Sequence, residues 1–278
     1  MGLRIGTNVA SLAAQRSMGT SSREIQKSFS QLSSGSRITK AADDAAGLSI
    51  SENLKSHIRG YQQAARNAQD GVSMVQTAEG GLGEISNILT RFRELGVQAA
   101  SDTVGDQERG FINKEVLQLK DEAERIARST RFGKTALLDG SGGRFDFQVD
   151  VNNDDFNDRI GYDASKQNAS TSSLGISGID FSSKEGARAA LMVLDDAQSQ
   201  VNGYRADLGA IQNRLNSATD NIGVSVENLS AANSRIRDTD VAASSAELAK
   251  NNILQSASVS VLAQANQQPQ MAMKLING

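Results

Sequence analysis

Two stretches at opposite ends of the chain obey the same spacing rule. One runs through Leu54, Ile58, Tyr61, Ala65, Ala68, Val72, Val75, Ala78, Leu82, Ile85, Leu89, Phe92, Gly96 and Ala99. The other runs through Ala190, Leu194, Ala197, Val201, Tyr204, Leu208, Ile211, Leu215, Ala218, Ile222, Ser225, Leu229, Ala232 and Ile236. Both advance in steps of three or four residues, a mean of about 3.5, which is the seam of helices that wind against a partner. In a single α-helix such a seam rises roughly 70 Å. The chain therefore reads as a mainly α, elongated antiparallel helical bundle or coiled coil, built to assemble.

Composition sets limits on what holds such a bundle together. Of the 278 residues only 4% are aromatic, Trp is absent, and the seams are rich in alanine. Small seam residues allow close approach, but each buries little area at about 25 cal/mol per Å². Repetition along the helix, or contact with other molecules, has to supply the rest. A net charge of −3 points to neither nucleic acid nor a membrane surface, and no apolar run spans a bilayer. With no cysteine there are no disulfides or thiolate sites. The first residues lack the continuous apolar stretch of a secretory signal, which predicts either a cytoplasmic protein or export by another route.

Along the chain, residues 1–35 read as a weak helix, with Ile5, Val9 and Leu12, then Ile25, Phe29 and Leu32, at helical spacing on a polar background. Residues 238–278 resemble it, with Ile253, Ala257, Val261 and Ala265 as a stripe of fourth residues. Such polar helices are marginal alone, which predicts either ends that order on docking or simply frayed termini. Ser33–Ser36 breaks the first helix, and Asp43 or Asp44 caps the next. The seam shortens its step at Val72, Val75 and Ala78 beside Gly80, Gly81 and Gly83, which predicts a bend or an overwound turn there.

Helices are predicted at about 44–100, 105–129 and 183–236, with a small β-hairpin insert in 140–181. In the insert, Phe145, Phe147, Val149 and Val151 alternate with polar residues, and Arg159–Tyr162 is the returning strand. Residues 163–173, polar and serine-rich, predict an exposed loop. Ser182 and Glu185 have the spacing of a capping box. The symmetric layout brings the two ends, 1–40 with 238–278, together as one domain and packs the long helices of 41–237 side by side as another, with the insert at the far tip.

Nothing in the sequence assembles a catalytic set. His57 is the single histidine, which removes multi-histidine metal sites and leaves a Ser-His-Asp arrangement only a mid-helix residue to use. Paired carboxylates at Asp43-Asp44, Asp154-Asp155 and Asp195-Asp196 read as a cap, a turn and a solvated face. The Gly80-Gly83 cluster lacks the strand–loop–Lys context of a phosphate loop. No enzyme activity, cofactor or metal is expected.

Several long strings resemble bacterial flagellin. They are TNVASLAAQRS (Thr7–Ser17), QLSSGSRITKAADDAAGLSIS (Gln31–Ser51), ARNAQDGVSMVQTAEGGLGEI (Ala65–Ile85) and RFRELGVQAA (Arg91–Ala100), with SRIRDTDVA (Ser234–Ala242) and VLAQANQQPQ (Val261–Gln270) near the other end. The resemblance covers roughly residues 5–135 and 184–276. It implies a subunit that passes through the flagellar export apparatus without a cleavable signal peptide, aided by an export chaperone. Such a subunit polymerises beneath a filament cap into a homopolymeric helical filament outside the cell, used for swimming. By that likeness the two terminal helices pair as a coiled coil, with 1–40 and 238–278 forming the inner domain and 41–237 the outer one. Ile5, Val9, Leu12, Ile25, Phe29, Leu32, Ile253, Ala257, Val261 and Ala265 are then the terminal assembly residues. Leu54, Ile58, Leu82, Ile85, Leu89, Leu194, Leu208, Ile211, Leu215 and Ile222 form the outer seam.

The resemblance also implies contact with a flagellin-sensing Toll-like receptor of animal hosts, through Arg91, Leu95 and Glu115. The outer domains that many flagellins carry are missing, so the likeness is to a minimal form. Two other readings stay open: a hook–filament junction protein, separated by copy number, and a cytoplasmic coiled-coil scaffold, separated by location.

Overall fold

The computed structural model describes residues 7–277, with side chains described for 7–267. Five helices dominate: α1 (Val9–Ser34), α2 (Ala45–Ala99), α3 (Asp106–Ser129), α4 (Lys184–Arg237) and α5 (Val241–Asn277). Between α3 and α4 lie two antiparallel hairpins, β1 (Arg131–Phe132) with β2 (Thr135–Ala136), and β3 (Arg144–Gln148) with β4 (Arg159–Asp163). The chain divides into two compact units, residues 1–56 with 228–278, and residues 57–227. The division falls inside α2 and α4 rather than at 40 and 238. Ser51 Oγ donates to Asn233 Oδ1 at 2.8 Å, and Arg237 bonds Glu52, so the first turns of α2 and the last turns of α4 stay with the terminal helices.

In the first unit four helix ends are chemically marked. Asn8 caps α1 by accepting from Ser11 N at 3.0 Å. Gly35 ends it at φ 68°, a left-handed conformation that a side chain would strain. Asp44 caps α2 through Gly47 N at 2.8 Å. Its neighbour Asp43 instead accepts from Thr39 and Lys40, and the Thr39 hydroxyl above all holds that carboxyl below its usual range. Asp240 caps α5 through Ala242 N and Ala243 N. Chain passages 35–37 and 236–239 are stitched together: Arg37 N donates to Arg237 O at 2.6 Å and Thr239 N to Gly35 O at 3.0 Å.

In the second unit α2 and α4 pair along the predicted seam. Leu82, Ile85, Leu89 and Phe92 of α2, with Leu194, Val201, Leu208 and Leu215 of α4, form one continuous core. On α3, Ile112, Val116 and Ala127 join it. Arg109, itself buried, closes the end of α2 by donating to Ala99 O and Ser101 O, both at 2.9 Å, a cation where the helix dipole favours one. In the second hairpin Phe145 faces Tyr162 and Phe147 faces Ile160. The Phe145 and Tyr162 rings stack at 6.0 Å, and burial pushes the Tyr162 hydroxyl up to about 12.

Helix α2 runs unbroken through Gly80, Gly81 and Gly83. Gly81 serves close approach, since a Cβ there would meet Thr130 Oγ1 at 2.6 Å and Leu138 Cδ1 at 2.8 Å. Three local expectations are corrected here. The insert lies against the flank of α2, not at a tip. The chain turns near residues 100–105, so α3 carries it back along α2, and Asn67 Nδ2 then reaches Gln148 O at 3.2 Å. Residues 163–173 are not an exposed loop throughout: Ala164, Gln167, Ala169 and Ser170 are buried, while Ser165, Lys166, Ser172 and Ser173 are exposed. Their polar groups are met internally, by Tyr162 Oη to Gln167 at 2.9 Å and by Ala169 N to Leu138 O at 2.8 Å. Finally, Ser183 rather than Ser182 caps α4, accepting from Gly186 N at 3.1 Å, because Ser182 is bound to Asp180.

Candidate functional site

The terminal helices meet along a seam unlike the one in the second unit. On α1 the covered positions include Ser11, Ala14, Met18, Ser21, Ile25, Ser28 and Leu32. On α5, among the described side chains, they are Ser244, Leu248, Asn251, Gln255, Ser258, Leu262 and Ala265. Both lines advance by alternating threes and fours, so this too is a heptad seam. Its chemistry is mostly hydroxyl, amide and small alkyl. Asn8 Nδ2 donates to Ala265 O at 2.7 Å, Ser11 Oγ to Asn266 Oδ1 at 3.0 Å, and Ser17 and Ser258 hydroxyls pair at 3.4 Å. Buried Asn251 keeps a bond to Glu247 at 3.3 Å.

The apolar residues expected to make this pairing mostly face outward. Val9, Leu12 and Phe29 are exposed on α1, Phe29 at 66%; Ile253, Ala257 and Val261 are exposed on α5, Ile253 at 70%. Ile25 and Leu32 are half-buried and Ala265 is buried, and these three alone join the seam. Ile5 lies outside the described residues. The correction has a geometric cause. Residues spaced strictly by four drift around a helix, whereas a pairing line alternates three and four. Leu262 and Leu248 fit that alternation, and Ile253 and Val261 do not. A search for alternating spacing over small and polar residues, not only apolar ones, finds the seam in the sequence.

In the second unit, Leu82, Ile85, Leu89, Leu194, Leu208, Leu215 and Ile222 are buried, while Ile58 and Ile211 are half-buried; Leu54, in the first unit, is half-buried too. Of the three residues proposed for receptor contact, Arg91 and Glu115 are exposed and joined at 2.8 Å, with Glu94 2.9 Å from Arg91. Those carboxylates, Glu94 first, raise the Arg91 guanidinium further above its ordinary value. Leu95 is corrected: at 2% exposure it is a core residue.

His57 is exposed. Among the described residues no cluster of His, Asp or Glu could hold a metal ion, and no helix is long and apolar enough to cross a membrane. A shallow cleft of about 360 Å³ lies between Val149, Phe156, Arg159 and Ile160 on the insert and Asn213–Ala218 on α4. It brings together no nucleophile and base. The chemistry on offer is contact between helices.

Comparisons with known proteins converge on one family. Residues 5–142 match the family model described as the bacterial flagellin N-terminal helical region, and 191–276 match that of the bacterial flagellin C-terminal helical region. A flagellin of Halalkalibacterium halodurans is 42% identical over 98% of this chain and 99% of its own length. A flagellar filament 30.7 kDa core protein of Treponema maltophilum is 41% identical over 98% of this chain and 99% of its own. Among solved structures, Bacillus cereus flagellin matches with a TM-score of 0.51 and 33% identity, covering 56% of this chain and 88% of that one.

Proposed function

The chain belongs to the bacterial flagellin family and is a structural subunit of the flagellar filament; from that premise we propose that α1 and α5 make the contacts that build the polymer. The observation that carries this reading is the outward apolar line of Val9, Leu12, Phe29, Ile253 and Val261 beside a seam of serine and amide. Large apolar side chains left in water on a helix pair are a docking surface. In this reading residues 1–40 with 238–278 serve as the inner domain of the polymer and 41–237 as the outer one. The seam between α1 and α5 buries too little apolar area to hold firmly alone, so their order is completed by neighbouring copies.

The family also supports partners beyond the polymer: the flagellar export apparatus, an export chaperone and a filament cap, with export proceeding without a cleavable signal peptide. Host recognition by a flagellin-sensing Toll-like receptor is carried over to Arg91 and Glu115 alone, since Leu95 lies in the core. Reporter signalling unchanged by Arg91→Asp would remove that reading.

Deletion of residues 1–30 tests the assembly role. The truncated chain is expected to keep the helical circular dichroism of the second unit and to stay soluble as monomer under conditions where the parent polymerises. Normal filaments from the truncated chain would refute terminal docking.

A further inference from the structure

The α2–α4 pair of the second unit has two outward faces of opposite charge. Buried positions on α2 include Ala64, Ala68 and Val75; on α4 they are Val201, Leu208, Leu215 and Ile222. In a heptad, the position farthest from the seam recurs every seven residues. On α2 that position holds Arg59 and Arg66, and on α4 it holds Asp220 and Glu227; all four are exposed. None of them is in an ion pair, and Arg66 bonds only neutral Gln63. Seams that face each other leave these two lines pointing in opposite directions.

The spacing matches as well as the sign. Each pair is seven residues apart, about 10 Å along its helix. The antiparallel register is fixed by Gln198 Nε2 to Ser86 Oγ at 2.7 Å and by Arg205 to Glu79 at 3.6 Å. Carried along both helices, that register sets Arg59 level with Glu227 and Arg66 level with Asp220, to within about 3 Å. Adjacent exposed positions are mostly neutral, as at Gln62, Gln69, Asn216 and Gly223, with Asp70 a carboxylate beside the arginines.

We propose that these faces are the two halves of a lateral contact between copies of the chain, with Arg59 and Arg66 of one copy meeting Glu227 and Asp220 of the next. Two copies side by side in the same orientation bring the charges together without tilting. Because the halves lie on opposite sides of the unit, each added copy presents a fresh half, and the row extends without closing on itself. One exposed ion pair contributes little, but here the pairs recur at every subunit, and opposite potentials set register and speed encounter. The inference rests on the filament reading and assigns it a second surface, distinct from the terminal helices.

Charge exchange tests it in the full chain, with polymer nucleated by polyethylene glycol at low ionic strength and quantified by sedimentation. Arg59→Glu with Arg66→Glu, and separately Asp220→Lys with Glu227→Lys, are each expected to raise the critical concentration about tenfold or more, since like charges then face each other. All four substitutions in one chain are expected to restore assembly, and so is an equal mixture of the two double variants. Unchanged helical circular dichroism checks that the outward substitutions leave the fold intact. Parent-like assembly of both double variants, or failure of the fourfold variant to recover, overturns the proposal. A parent chain that forms no polymer under any of these conditions refutes the filament reading instead.

Discussion

The two seams of this protein share a period and differ in substance. Between α2 and α4 the facing residues are mainly Leu, Ile, Val and Ala, most of them fully buried. Between α1 and α5 the same alternation mixes Ser21, Ser28, Asn251, Gln255 and Ser258 with half-buried Met18, Ile25, Leu32, Leu248 and Leu262, while Val9, Leu12, Phe29, Ile253 and Val261 sit on the outside. Period alone therefore says that two helices meet; it does not say how firmly. An apolar seam commits the subunit to one fold, whereas a polar seam aligns two helices while keeping their apolar surface free for other copies.

The largest effect tests the apolar seam. Leu208→Asp places an unpaired charge where the side chain is fully buried, at a loss of about 4 kcal/mol or more. The variant is expected to lose cooperative thermal unfolding and soluble yield. The same change at Ser28, in the polar seam, is expected to leave the unfolding of the second unit unmoved. Equal damage from both would erase the distinction.

Conversion is a milder test. Ser28→Leu turns one polar seam position apolar and is expected to strengthen α1–α5 pairing by about 1 kcal/mol. Slower hydrogen exchange across α1 in the isolated chain would report it; unchanged exchange would count against the seam assignment.

A third test uses acid. Glu124 accepts from Thr171 N at 2.9 Å and from the Thr171 hydroxyl at 2.8 Å, with Arg128 at 2.7 Å. The Thr171 backbone bond, first among these, lowers its carboxyl below the ordinary value. A carboxyl depressed in the folded state stabilises above its unfolded value, near 4.3, and that stability is lost as pH falls through the folded value. Glu124→Gln is thus expected to cost about 1 kcal/mol at pH 7, allowing for partial exposure. The gap to the parent should close toward pH 3 in urea titrations.

The smallest expected effect on stability is the most telling for function. Phe29→Ala removes an exposed ring and is expected to shift unfolding by less than about 0.5 kcal/mol. Sedimentable polymer should nonetheless fall sharply.

Much of the second unit was legible from spacing. Helices expected at about 44–100, 105–129 and 183–236 appear as Ala45–Ala99, Asp106–Ser129 and Lys184–Arg237, because apolar period and burial coincide there. The alternation of Phe145 and Phe147 likewise announced their facing of Tyr162 and Ile160. Reading failed where polarity was taken for exposure. Gln167 and Ser170 are polar and buried, their partners supplied by residues whose placement no local pattern reveals. It failed again where apolarity was taken for burial, at Phe29 and Ile253, since both lie off the alternating three–four line along which the helices pair. Leu95 shows the reverse: a motif identity suggested a contact, but the side chain lies in the core.

The stitch between residues 35–37 and 236–239 has a mechanical consequence. Two backbone hydrogen bonds and the reach of Arg37 Nη2 to Ile236 O, at 2.7 Å, cross-link the outgoing and returning passes of the chain. Tension applied through one terminal helix loads these bonds in shear, so they must yield together rather than one after another. A pull on either end is consequently shared by both passes, and the linkers behave as a single strut instead of two independent strings.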